Sequence, residues 1–126
     1  MRSRPVPGVA AGQIAMHFLE EDDGRCPVEE FLDLLKGPDG QQFVACFRKI
    51  AELPAWRQMG NWFKPLHHYP NVWEVVTESH RVLGFRDGAI LILTNGFKKK
   101  RMDTPPAEID RCAGLQKRFK EERSRE

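Results

Sequence analysis

Three strand-forming stretches follow one another between Val72 and Phe97, and this run limits the architecture more than any other feature of the chain. Residues 72–77, 81–86 and 89–97 are each rich in β-branched, aromatic and aliphatic side chains. Asp87-Gly88, between the last two, is the dipeptide expected of a two-residue type I′ hairpin, where both central residues need φ > 0. Such a meander has apolar surface to bury, and the amphipathic stretches on either side supply the cover.

Upstream, residues 13–20 alternate, with Ile14, Met16 and Phe18 on one face, which predicts a strand with one buried side. The acidic run Glu20 to Asp23, closed by Gly24, ends it in a solvated turn. Cys26-Pro27 opens a helix, because proline tolerates the first turn. Val28, Phe31, Leu32 and Leu35 then form one apolar stripe until Gly37-Pro38. Asp39 is expected to cap a second helix, with Gln42 returning the capping bond. Its stripe is Phe43, Phe47, Ile50 and Ala51, and the two helices read as an antiparallel hairpin. Residues 55–70 read as a long loop or short strand rich in aromatic and basic groups. A last helix is expected to start with Thr104 as N-cap and Pro105 in first position, and to fray over 117–126.

A chain of 126 residues is one domain's worth. Residues 1–12, with Pro5, Pro7 and Gly8, read as a flexible tail; 13–120 form a single domain, and 121–126 a charged tail. The expected class is α+β, with the helices layered over one face of a mainly antiparallel sheet. The longest aliphatic run, Ala89 to Leu93, is far short of the roughly 20 residues of a membrane helix. Arg2 and Arg4 lead into no apolar region of the secretory kind, so the expected compartment is the cytoplasm, with no membrane partner.

Cys26, Cys46 and Cys112 are isolated, and no histidine stands at metal-binding spacing, so neither a metal nor another cofactor is expected. Ser79-His80 lacks a nucleophile elbow, and there is no glycine-rich phosphate loop. The charge distribution is more informative. Residues 1–63 carry 7 Lys/Arg against 9 Asp/Glu, residues 64–126 carry 13 against 9, and the densest run is Lys98 to Arg101. A local basic patch on a nearly neutral chain points to a polyanion. Within 81–86, alternation puts Arg81 in line with Leu83 and Phe85; it needs either an acidic partner, Glu74 or Glu78, or a concave surface that receives an anion.

Lys64-Pro65-Leu66, Val72-Trp73-Glu74-Val75, Arg81-Val82-Leu83-Gly84-Phe85, Gly96-Phe97-Lys98-Lys99-Lys100 and Thr104-Pro105 occur in an order that resembles the HigB-type, phage-derived branch of the RelE/ParE toxin superfamily. The resemblance covers roughly residues 60–110. It departs at Val76, where the family usually has an arginine, and at Gly84 and His80, where it usually has aromatics. The resemblance implies the toxin of a type II toxin–antitoxin pair: a ribosome-dependent mRNA interferase that cleaves RNA without metal, by 2′-OH attack on the adjacent phosphate. It implies Arg81, Lys99 and Lys64 as catalytic groups, with Lys98, Lys100, Arg101, Arg86 and His80 as RNA contacts. Strand alternation turns His80 away from Arg81, which favours a structural role for it. The implied partners are the ribosome, mRNA and a HigA-like helix-turn-helix antitoxin. The missing arginine at Val76 keeps open a non-catalytic alternative, a ParE-like gyrase poison or a phage protein that blocks a host machine.

Overall fold

The computed structural model describes residues 1–35 and 37–125. Its strands are β1 (Arg2–Pro5), β2 (Ala15–Glu20), β3 (Phe63–Pro65), β4 (Val72–Val76), β5 (His80–Asp87) and β6 (Ile90–Lys98). The helices are α1 (Pro27–Leu34), α2 (Asp39–Ala51) and α3 (Pro106–Ser124). All six strands join in one sheet ordered β1-β2-β6-β5-β4-β3. Only β2 and β6 run parallel; every other neighbouring pair is antiparallel. The protein is α+β, with a mainly antiparallel sheet and a C-terminal helix.

Helices cover both faces of the sheet, where one covered face was expected. Phe43, Phe47 and Ile50 of α2 and Val28 of α1 are buried with Met16, Phe18, Val75, Val82, Leu91 and Leu93. Ile109, Cys112, Leu115 and Phe119 of α3 close the opposite face over Leu19, Val72, Leu83, Phe85 and Ile92. The central strands β5 and β6 are apolar on both sides, and a strand apolar on both sides requires two covers.

Residues 1–12 are not a flexible tail. β1 pairs residue for residue with β2, from Arg2 opposite Glu20 to Pro5 opposite His17, while Val6 and Val9 enter the α1/α2 core. Gly12 lies so close to the end of α2 that an added Cβ would sit 2.1 Å from the Ala51 carbonyl oxygen.

Three terminus and turn expectations are also corrected. Pro38, not Asp39, occupies the N-cap of α2, and no side chain caps that helix. The β5–β6 turn is displaced by one residue: Asp87 pairs with Ile90, and of the turn residues only Gly88 takes a left-handed φ, 61°. A type I′ turn needs two such residues, so it does not form here. α3 runs through Ser124, where Arg123 pairs with Asp87, and so neither frays from 117 nor ends in a free tail over the described residues.

None of the three cysteines is in a disulfide; Cys26 is buried and its Sγ accepts from Arg4 Nε at 3.1 Å. Cys112 is fully buried between α3 and β6, and burial pushes its thiol up to about 11. Relative to an ordinary value of 9.0, the raised value means that the folded state holds this proton more tightly than the unfolded chain. The associated stability is present below about pH 9 and is lost as pH rises from about 9 to 11. In a thiol titration of the native protein at pH 8, half-buried Cys46 is expected to react first and Cys112 only on unfolding; equal rates for the two would contradict this packing.

Candidate functional site

A cleft of about 470 Å³ opens on the α3 side of the sheet, between β3, the loop after it and the segment that enters α3. Lys64, His67, Tyr69, Gln58 and Asn61 border it on one side, and Met102, Asp103 and Thr104 on the other. Glu74 and Arg81 lie at its base. Strand pairing explains the grouping. Lys64 stands opposite Glu74 across β3 and β4, while Arg81 stands opposite Val76, two residues along the same face of β4. The adjoining loop is bent by left-handed conformations at His68 (φ 71°) and Asn71 (φ 65°). Backbone bonds from Leu66 N–H to the Val72 carbonyl (2.9 Å) and from Val72 N–H to the Tyr69 carbonyl (3.2 Å) close it. His67 is exposed at the rim, and Lys64 and Tyr69 are half-buried.

Of the two environments the sequence left open for Arg81, the structure supplies the acidic partner, Glu74. It is 3% exposed and Glu74 is 1% exposed. One terminal nitrogen, Nη1, donates to Glu74 Oε1 (3.0 Å) and to Thr104 Oγ1 (2.6 Å); Nη2 donates to the carbonyls of Arg101 (3.2 Å) and Met102. Thr104 Oγ1 in turn donates to Glu74 Oε2 at 2.8 Å. Four guanidinium donors are thereby used and the charge is neutralised, leaving Nε without a partner. Bidentate phosphate binding needs two free parallel donors, which this arrangement lacks. Arg81 instead fastens the Arg101–Thr104 segment to the sheet. That use of Thr104 also explains why Pro105 holds the N-cap of α3 and Pro106 its first position, one residue later than expected.

The other expected site residues divide by position. Lys64 is in the cleft. Lys99 is not among the residues bordering it; its backbone N–H donates to the Ser79 carbonyl at 2.8 Å, at the end of β6. Of the three groups expected to be catalytic, Lys64 and Arg81 line the cleft and Lys99 does not. Lys98, Lys100 and Arg101 are exposed around the same sheet end. His80 faces α1 and the start of α2, edge-on to Phe31 and 3.5 Å from Asp39 Oδ2, away from Arg81. Arg86 lies over the Trp56 ring on the same side of the sheet. Sequence reasoning passed over His67, Asn61, Gln58 and Asp103. The signal that marked the first was the aromatic and basic character of residues 55–70; the others have no periodicity to expose them.

A larger hollow of about 550 Å³, between residues Val6-Pro7 and helices α1 and α2, has mainly apolar walls, with Glu29, Asp33 and Arg48 as its charged lining residues. Among the described residues no group of three or more His, Cys, Asp or Glu is placed to hold a metal ion, and no helix is long and apolar enough to cross a membrane.

In chemical terms the cleft presents one primary ammonium, one imidazole, one phenol, two amides and the Asp103 carboxylate above a neutralised ion pair. Among the described residues Lys64 is in no ion pair, and Glu74, its neighbour across the strands, is already bonded to Arg81 and Thr104. No protein-family model matches the chain, and no curated protein matches it significantly.

Proposed function

We propose that this protein is a toxin of the ribosome-dependent mRNA interferase kind, and that RNA is cleaved in the Lys64 cleft without a metal. The observation that supports this reading is the convergence of Lys64, His67 and Tyr69 on one concave surface. In the reaction the ribose 2′-oxygen bonds to the adjacent phosphorus and the bond to the 5′-oxygen breaks, leaving a 2′,3′-cyclic phosphate. His67 takes the 2′-OH proton, Tyr69 gives a proton to the departing 5′-oxygen, and Lys64 stabilises the charge that grows on the phosphorane. Arg81, Glu74 and Thr104 act as positioning residues, and Lys98, Lys99, Lys100 and Arg101 meet ribosomal or messenger phosphates from the adjoining sheet end. The partners of this reading are the ribosome, mRNA and a neutralising antitoxin.

Mapping mRNA breaks after adding the purified protein to translating ribosomes tests the reading. Lys64→Ala is expected to slow cleavage about 10- to 100-fold, the worth of one charge-assisted bond, while leaving thermal unfolding unchanged. Intact message and unaffected translation with the unaltered protein would reject the proposal. The sealed Arg81 favours a second reading, the non-catalytic inhibitor: gyrase supercoiling blocked, with no RNA broken, would replace the first reading by that one.

A further inference from the structure

All three tryptophans of the chain belong to one ribbon of aromatic contacts on the sheet face that carries α1 and α2. Ring centres are 5.5 Å apart between Trp56 and Trp73, 4.7 Å between Trp73 and Phe63, and 6.1 Å between Phe63 and Trp62. Trp73 and Phe63 are buried in the middle, whereas Trp56 and Trp62 are only partly buried at the two ends. A cation lies over each end: the Arg86 guanidinium 4.6 Å from the centre of the Trp56 ring, and the Lys49 ammonium 5.9 Å from that of Trp62. Arg57, beside Trp56, is exposed as well. Among the described residues none of these three cations is in an ion pair. Between positions 40 and 73 the sequence has four cationic residues against one acid, Glu52.

Core packing accounts for Phe63 and Trp73 entirely. Trp56 and Trp62 pack on the same core yet each keeps part of its surface open and has an unpaired cation over its ring. We propose that this ribbon binds single-stranded RNA, with bases stacking on Trp56 and Trp62 and phosphates meeting Lys49, Arg57 and Arg86. Exposed aromatic faces beside positive charge are the means by which unpaired strands are held without regard to sequence. On binding, a base takes the cation's place on the indole and the cation moves to the neighbouring phosphate.

Position in the sheet links the ribbon to the cleft. β3 is an outermost strand, and its consecutive residues Phe63 and Lys64 serve the ribbon and the cleft respectively. A strand passing round this edge touches both surfaces. The inference takes from the proposed function only that the bound strand is RNA.

Because every tryptophan lies in the ribbon, intrinsic fluorescence reports on it directly. Titration with an oligouridylate of about 12 nucleotides is expected to quench the emission at low salt, with affinity falling steeply as salt is added. The variant Lys49→Glu/Arg57→Glu/Arg86→Glu should bind at least about tenfold more weakly, because several phosphate contacts are lost. Arg111→Glu/Lys117→Glu/Lys120→Glu, on exposed positions of α3, makes the same change in net charge and should bind as the unaltered protein does. Trp56→Phe keeps an aromatic ring in the packing and should reduce the quench without a large shift in melting temperature. No quench at low salt, equal weakening by both charge-reversal variants, or equally tight binding of duplex RNA would overturn the ribbon as a single-strand site. Tighter binding of single-stranded DNA would overturn its assignment to RNA. Absence of mRNA cleavage on ribosomes, with oligouridylate binding intact, would remove the cleft reading and leave the ribbon standing.

Discussion

Replacing Glu74 by alanine is expected to destabilise the fold by about 3–5 kcal/mol, the cost of stranding a buried charge. Arg81 would keep its bonds to Thr104 and to the carbonyls of Arg101 and Met102, all of them uncharged. None of these replaces a carboxylate, and the guanidinium is too deeply enclosed for water to do so. Arg81→Ala should cost a similar amount, because it strands Glu74 in turn. The double variant Glu74→Leu/Arg81→Met should recover much of the loss, since an apolar pair of similar volume avoids the desolvation of both ions. Urea unfolding of the four proteins closes the cycle. A loss below about 1 kcal/mol for either single variant, the usual range for exposed pairs, would mean that water reaches this pair. The cycle also bears on mechanism. Loss of RNA cleavage in an Arg81 variant carries no information about phosphate binding until its folded fraction is known. Lys64, half-buried at the cleft wall, is the cleaner probe.

Gly12→Ala is expected to cost about 3 kcal/mol, the upper part of the usual overpacking range. The added methyl would meet the Ala51 carbonyl oxygen at 2.1 Å and its carbon at 3.1 Å. Both atoms are backbone at the end of α2, so no side-chain rotation relieves the clash. Either α2 or the segment leading into β2 must move, and each is tied to the core through Ile50, Ala51 and Ile14. A shift in the urea midpoint at unchanged slope would measure the effect; a midpoint equal to that of the unaltered protein would show that residues 1–12 move freely against α2.

The strand and helix pattern was legible because apolar periodicity is a local record of which side faces a core. Phe43, Phe47, Ile50 and Ala51 marked α2 correctly, and the meander was read to within about a residue at most ends. Local reading failed where a distant group claimed an atom. Thr104 looks like a helix cap, but its hydroxyl is taken by Glu74 and Arg81, some 30 and 23 positions away in sequence. Asp87 looks like a turn residue, but its carboxylate holds Arg123, and the left-handed position falls on Gly88. The first 12 residues look unstructured for lack of a long apolar period, yet two valines and a four-residue strand suffice when β2 offers a free edge.

The same division runs through the candidate site. The residue order alone placed Glu74 and Arg81 on neighbouring strands, left Lys64 in a loop or short strand just before them, and required Arg81 to have either an acidic mate or an anion. It could not choose between them, because that choice depends on whether the segment after β6 folds back over the guanidinium. Tertiary structure made the choice: the carbonyls of residues 101 and 102 and the Thr104 hydroxyl close over Arg81, Glu74 neutralises it, and Lys64 is left as the cation facing the cleft. Alternation and turn chemistry act over a few residues and are written in the sequence. The burial of a charge is decided by everything that packs around it, and only the assembled fold contains that information.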